Sequence, residues 1–240
     1  MQMTNQRERA HRILIVDDDP GLIFMLKIKL DLEGYDVFTA NSGLQALERV
    51  KEVGLPDLAL VDIIMPGMNG REFANELHSF SDVPVIMLTS VGDEDTIVDA
   101  INTYADDYIT KPFRPREVVA RIRRVLLRAE TSSYSLGPIT WADQRLGIDF
   151  ANQCIYVEGE QKNLTPTETK LLYVLMHHAG KLLAPNYLQR HLWPHGAVVE
   201  ETLRVNIYRL RQKIERDPAN PEYLITHRGE GYSFSPNFET

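Results

Sequence analysis

Short apolar runs alternate with longer stretches of helical spacing through the first half of the chain. Ile13-Leu14-Ile15-Val16, Asp36-Val37-Phe38-Thr39-Ala40, Leu58-Ala59-Leu60-Val61, Val85-Ile86-Met87-Leu88 and Asp107-Tyr108-Ile109 have the length and β-branched content of strands. Between them, residues 22–32, 44–53, 71–77, 96–103 and 114–128 carry the periodicity of helices. Runs that are apolar on every position suit a parallel sheet buried on both faces. Regular strand–helix alternation points the same way. The expected first domain is therefore α/β, a five-stranded parallel sheet wound on both sides.

The pattern changes after residue 128. Ala129-Glu130-Thr131-Ser132-Ser133-Tyr134-Ser135 is polar and small, as a linker is. Short β-like pieces follow at 145–149 and 154–157. Thr165-Pro166-Thr167-Glu168 then has an N-cap, a proline at the first helical position and the glutamate of a capping box. Three helices are expected next. In the last of them Leu203, Ile207, Leu210 and Ile214 fall in one stripe at 100° per residue, opposite Val205, Tyr208, Arg209 and Gln212, with Arg204 and Arg211 on the flanks. A glycine-turned hairpin over 223–234 closes the chain. The boundaries expected are a first domain at 10–128, a linker at 129–136 and an α+β second domain at 137–238.

Composition narrows the class. A chain of 240 residues with 43% hydrophobic and 25% charged positions is long enough for two modest cores. No apolar stretch reaches the length of a membrane span and no signal peptide is visible, so a cytoplasmic protein is expected. The single Cys154 cannot close an internal disulfide and reads as a small apolar strand residue. Residues 1–137 hold 15 Lys+Arg against 22 Asp+Glu, and the remainder 11 against 12. Neither half is basic, so nucleic acid must be met by a local patch.

The candidate chemistry lies at strand ends. Asp17-Asp18-Asp19, Asp62, Thr89 and Lys111 each follow or end one of the apolar runs. In parallel sheets, ligands bind outside the carboxyl ends of the strands. Asp17, Asp18 and Asp62 together suit a hard divalent cation such as Mg²⁺, with Asp62 as a nucleophile forming an acyl phosphate. Lys111 and the Thr89 hydroxyl are placed for phosphoryl oxygens. Taken singly, each residue reads as a cap, a turn aspartate or a loop lysine. Their joint placement favours the site.

Residues 12–128 resemble a receiver domain of a two-component response regulator, a flavodoxin-like fold. The resemblance rests on Ile15-Val16-Asp17-Asp18-Asp19, Val61-Asp62 with Met65-Pro66-Gly67, Met87-Leu88-Thr89-Ser90, and Ala105-Asp106-Asp107-Tyr108-Ile109-Thr110-Lys111-Pro112-Phe113. It implies that Asp62 accepts a phosphoryl group from a sensor histidine kinase, with Mg²⁺ held by Asp17, Asp18, Asp62 and the carbonyl of Ile64. It further implies that Thr89 and Tyr108 form a switch pair and that Lys111 holds the phosphoryl group. A homodimer is expected on phosphorylation, through Val98, Ile101, Asp107, Glu117, Ala120 and Arg121, with Asp107 and Arg121 bridging the chains. Ile97, where a basic residue usually meets Glu117, and Tyr104, where glycine is usual, make that face more apolar than the family's. Apolar Ile64 and Val91 imply slow self-hydrolysis of the acyl phosphate.

Residues 137–235 are similar to the winged-helix effector domain of the OmpR/PhoB family. The carriers are Leu164-Thr165-Pro166-Thr167-Glu168, Lys170-Leu171-Leu172, Leu192-Trp193, Val205–Ile214 and Arg228-Gly229-Glu230-Gly231-Tyr232. The resemblance implies double-stranded DNA as a partner. Thr202–Lys213 would be the recognition helix, using Thr202, Arg204, Val205, Tyr208, Arg209 and Arg211, with Arg228 on the wing in the minor groove. Residues 193–200 would form a loop facing RNA polymerase. Glu200, Glu201 and Glu230 add acid to this surface, so modest affinity per domain and steep salt dependence are expected. The expected function is a phosphorylation-activated transcriptional regulator rather than an enzyme. The rival enzyme reading makes Asp17-x-Asp19 an aspartyl-phosphate phosphatase motif, but it leaves Asp62 without a role.

Overall fold

The computed structural model describes residues 10–90, 105–128, 137–193 and 200–235. Strands β1 (Arg12–Val16), β2 (Asp36–Ala40), β3 (Leu58–Asp62), β4 (Val85–Ser90) and β5 (Asp107–Lys111) form one sheet in the order β2-β1-β3-β4-β5. Every neighbouring pair is parallel. Helices α1 (Pro20–Leu32), α2 (Gly43–Val53), α3 (Gly70–Phe80) and α4 (Pro115–Arg128) cover it. The helix expected over 96–103 and the linker expected at 129–136 lie outside the described residues.

Alternate residues of each strand go to opposite faces. Ile13, Ile15, Leu58, Leu60, Ile86 and Leu88 pack with α1 and α4 through Leu26, Leu30, Val118 and Ile122. Leu14, Val16, Ala59, Val61, Val85 and Met87 pack with α2 and α3 through Ala46, Val50, Phe73 and Leu77. At the central strands β1, β3 and β4 both faces are buried, which is why their runs are apolar at every position, whereas the edge strands β2 and β5 carry exposed Asp36 and Thr110. The chain direction reverses its walk between β1 and β3, and this switch point opens a crevice at the carboxyl edge.

In the second half, β6 (Thr140–Trp141), β7 (Leu146–Asp149), β8 (Cys154–Val157) and β9 (Glu160–Asn163) make an antiparallel sheet in sequence order. Helices α5 (Pro166–His177), α6 (Pro185–Leu192) and α7 (Glu200–Ile214) follow, then the hairpin of β10 (Leu224–His227) and β11 (Gly231–Phe234). The capping box at Thr165 and Glu168 forms as expected. Strand β9 escaped the sequence pattern because Glu-Gln-Lys-Asn has no apolar alternation. It is specified by the turn: Glu158 (φ 54°) and Gly159 (φ 86°) are both left-handed, the requirement of a two-residue type I′ hairpin.

The two halves are packed against each other, α3 on α5. One apolar cluster runs from Phe80 and Val83 through to Leu171, Tyr173 and Val174, so α5 is buried from Glu168 to Met176. Lys170 is enclosed with it and donates to the carbonyl of His78 at 2.9 Å, with Asp82 Oδ1 at 3.8 Å. His191 Nδ1 lies 2.5 Å from Asp82 Oδ2. Burial works against ionisation of Asp82. The hydrogen bond from His191 and the charges of His191 and Lys170 outweigh it and hold the carboxyl below its usual value.

A depressed carboxylate pKa contributes stability that is present above the unfolded value of about 3.9 and lost as pH falls through the folded value. At neutral pH, Asp82→Asn removes that contribution and leaves Lys170 buried beside a neutral amide. Small-angle scattering at pH 7 should show a larger radius of gyration for Asp82→Asn than for the unaltered chain. Equal radii would contradict this account of the interface.

Candidate functional site

The carboxyl edge of the sheet gathers the predicted acidic residues. The register places Val16 beside Val61, Asp62 beside Leu88, Thr89 beside Thr110 and Ser90 beside Lys111, so four strand ends finish side by side. Candidate ligand oxygens of Asp17, Asp18 and Asp62 all lie within 4.8 Å of one another. Asp17 and Asp62 are buried and Asp18 is exposed. Lys111 Nζ stands 2.8 Å from Asp17 Oδ2 and 3.0 Å from Asp62 Oδ1. The Lys111–Pro112 peptide is cis.

Asp19 has a different part. Its Oδ1 accepts from the amides of Gly21 (2.8 Å) and Leu22 (3.3 Å), capping α1, while its own amide donates to Asp17 Oδ1 at 2.9 Å. Gly70 lets the start of α3 lie directly against the end of β3: a Cβ there would stand 2.1 Å from the carbonyl oxygen of Asp62. The Asn69–Glu72 capping box fixes the start of α3 at the same point.

Electrostatics make the cluster unbalanced. Burial pushes the Asp62 carboxyl up, and repulsion from Asp17 and Asp18 adds to that; Lys111 offsets it only in part. For Lys111 itself, burial is outweighed by its hydrogen bonds to Asp17 and Asp62, which raise the ammonium pKa. Three carboxylates share one ammonium, so the donor set fits a hard divalent cation. Thr89 is buried, and among the described residues its hydroxyl makes only a long contact, 3.4 Å to the Ser90 carbonyl. Half-buried Tyr108 packs against the apolar cluster of the α2–α3 face, and burial pushes its phenol up.

In the second half, α7 turns Leu203, Ile207, Leu210 and Ile214 into the core. Thr202, Arg204, Val205, Tyr208, Arg209 and Gln212 are exposed, as is Arg228 at the tip of the β10–β11 hairpin. This is a polar, arginine-bearing helix face with an apolar residue, Val205, among its exposed positions. Such a face fits a DNA major groove.

Residues 13–123 match the family profile described as "Response regulator receiver domain", and residues 159–234 match "Transcriptional regulatory protein, C terminal". The "DNA-binding response regulator MtrA" of Mycolicibacterium smegmatis is 39% identical over 229 residues, covering 94% of this chain and 97% of that one. The "Probable transcriptional regulator ycf27" of Pyropia yezoensis is 38% identical over 238 residues, covering 97% and 96%. Among solved structures, the Thermotoga maritima OmpR/PhoB homolog DrrB is 27% identical, covers 95% of this chain and all of its own, and superposes with a TM-score of 0.45. The chain belongs to the OmpR/PhoB family of response regulators. It is a phosphorylation-dependent transcriptional regulator whose family partners are histidine kinases and DNA. No helix among the described residues is long and apolar enough to cross a membrane.

Against this OmpR/PhoB frame, the structure brings Asp17, Asp18, Asp62 and Lys111 together as expected from the sequence. Ile64 sits in the loop after β3 with its side chain exposed. Val91, Ile97, Val98, Ile101 and Tyr104 lie outside the described residues. In the single chain, the pair expected to bridge two chains is formed internally: Arg121 Nη1 is 3.1 Å from Asp107 Oδ1, Arg124 Nη2 is 2.5 Å from Asp107 Oδ2, and Arg121 also holds Glu117 at 2.8 Å. The register of β5 and the helical spacing of α4 bring these side chains together locally. Arg211, expected on the DNA-facing flank, instead donates through Nε to the Leu224 carbonyl at 3.0 Å and through Nη2 to Thr226 Oγ1 at 2.7 Å. Ala120 is exposed on the same helix as Arg121.

Sequence reasoning missed Glu215 altogether. It follows the last residue of the apolar stripe and is buried, and its carboxylate serves backbone amides that no local pattern announces.

The cation fit can be checked without activity. Ligand binding to the folded state alone stabilises by RT ln(1 + [L]/Kd), about 1.4 kcal/mol at ten times Kd. Mg²⁺ should therefore raise the melting temperature of the unaltered chain by a few degrees. Asp17→Asn should abolish most of that rise. A Mg²⁺-independent melting temperature in the unaltered chain would contradict the fit.

Proposed function

We propose that Asp62 is the phosphoacceptor through which this response regulator is switched. The observation that carries the reading is the Lys111 ammonium lodged between Asp17 and Asp62 at the crevice edge. A carboxylate oxygen of Asp62 attacks the phosphorus of a kinase phosphohistidine, the P–N bond breaks, and the imidazole leaves with its electron pair. Asp17, Asp18, Asp62 and the Ile64 carbonyl would hold Mg²⁺, which would supply charge neutralisation for the phosphoryl oxygens. Lys111 exchanges its bond to Asp62 for one to the phosphoryl group. Thr89, with its hydroxyl loosely held, turns to a phosphoryl oxygen, and Tyr108 follows into the space it leaves.

That local charge event biases a surface at a distance. We assign dimerisation to the face formed by β5 and α4, with Asp107, Glu117, Ala120 and Arg121, together with Val98 and Ile101, which lie outside the described residues. Pairing would exchange the internal Asp107–Arg121 contact for one between chains. The effector domains, tethered by residues 129–136 between units at 10–128 and 137–238, then meet adjacent half-sites at raised effective concentration. Thr202, Arg204, Val205, Tyr208 and Arg209 enter the major groove and Arg228 the minor groove. Residues 193–200 face RNA polymerase. The protein works in the cytoplasm.

The test is DNA binding before and after treatment with a small phosphodonor and Mg²⁺. Phosphorylation should tighten binding to a duplex recovered by selection from genomic fragments at least tenfold, and Asp62→Asn should remove the gain. Equal stimulation of Asp62→Asn would overturn the assignment. Ile64 and Val91 offer no group to orient an attacking water, so the phosphoprotein should release phosphate over minutes or longer. A half-life of seconds would contradict that.

A further inference from the structure

A two-stranded hairpin is marginal in water unless something packs on it, yet a wing that reads DNA must keep a fixed relation to its recognition helix. The structure supplies two anchors at the C-terminal end of α7. Glu215 is buried, and its carboxylate accepts from three successive backbone amides that lead into β10: Glu222 at 2.8 Å, Tyr223 at 3.0 Å and Leu224 at 2.8 Å. One turn earlier, Arg211 donates to the Leu224 carbonyl and to the Thr226 hydroxyl. Leu224 is thus gripped at its C=O by Arg211 in the last turn of α7 and at its N–H by Glu215, the residue that follows the helix.

Around this grip the strand is fixed on its other sides. Tyr223 donates its hydroxyl to Asp143 Oδ2 at 2.6 Å, and its ring lies under the Arg145 guanidinium at 4.5 Å. Gly231, opposite His227 in the hairpin, admits no side chain because a Cβ would meet the Leu183 carbonyl oxygen at 2.0 Å. From Leu224 the register runs without interruption to the turn that exposes Arg228. The base-reading end of α7 at Thr202 is about 20 Å from Glu215 along the helix axis. The same rigid rod therefore carries the major-groove residues at one end and the attachment of the wing at the other.

We infer that Glu215 and Arg211 are positioning residues for DNA recognition: they set the wing on α7 so that Arg228 and the exposed face of α7 engage one duplex in a fixed relation. The inference rests on the winged-helix reading of Arg228 given above. A carboxylate receiving three amides and a guanidinium fork on a carbonyl and a hydroxyl are directional contacts, so they fix angle as well as proximity. Glu215→Gln replaces one accepting oxygen by a donor facing an amide, which lets the strand swing without opening the apolar core. Thr226→Val removes only an exposed acceptor of Arg211.

The experiment uses the full chain, treated with a small phosphodonor and Mg²⁺, and the tightest duplex it selects from random-sequence DNA. Dimethyl sulfate reports both grooves at once, through guanine N7 in the major groove and adenine N3 in the minor. Glu215→Gln should lose adenine N3 protection and about tenfold in affinity while guanine N7 protection persists. Thr226→Val should move the same way by a smaller factor, with an unchanged melting temperature. The affinity loss from Glu215→Gln should vanish in an Arg228→Ala background, because both changes remove the same contact. If Arg228→Ala weakens binding but the Glu215→Gln loss simply adds to it, with adenine protection intact, the positioning role is overturned. If Arg228→Ala alone changes neither affinity nor adenine protection, the wing reading falls and the inference with it.

Discussion

The structure turns on a crowding of like charge that the fold itself creates. Three carboxylates are delivered to one sheet edge by β1 and β3, two of them out of water, and a single ammonium from β5 stands among them. Such an arrangement costs stability unless more positive charge arrives. The donor set therefore suits a divalent cation. In the proposed function, the switch begins with how Lys111 and Thr89 redistribute when a phosphoryl group joins that cation.

The path outward from this edge runs through packed elements. Tyr108 leans on the same apolar face of the sheet as α2 and α3, and that cluster continues past Phe80 and Val83 into the effector helix α5. Asp82, Lys170 and His191 add a polar seam where the halves meet. The α7 side chains proposed to meet DNA, Thr202, Arg204, Val205, Tyr208 and Arg209, stay exposed in this arrangement. Packing of receiver on effector thus leaves the exposed face of α7 uncovered among the described residues.

Much of this was legible in the sequence because the central strands of the sheet are buried on both faces. Continuous apolar runs marked β1, β3 and β4, strand–helix alternation marked the edge strands β2 and β5, and the residues at the ends of these runs marked the candidate site. The stripe Leu203, Ile207, Leu210 and Ile214 gave the buried side of α7 correctly, hence the exposed one. What stayed hidden depends on contacts far apart in the chain. Lys170 in an apolar helix reads as an exposed charge until α3 is known to cover it, and Arg211 reads as a groove contact until the hairpin is seen to take it. Strand β9 is carried by a turn and by backbone pairing, with no side-chain pattern of its own. The Asp107–Arg121 pair shows a further limit: the sequence identifies partners, but not whether they meet within one chain or between two.

The central claim is that the side chain of Asp62 is the group chemically modified when this protein is switched. Intact-mass analysis after incubation with a small phosphodonor and Mg²⁺ tests it most directly. The account predicts the mass of one added phosphoryl group, released by hydroxylamine as an acyl phosphate must be, and no addition on Asp62→Asn. An unmodified chain, or the same addition on Asp62→Asn, would contradict it.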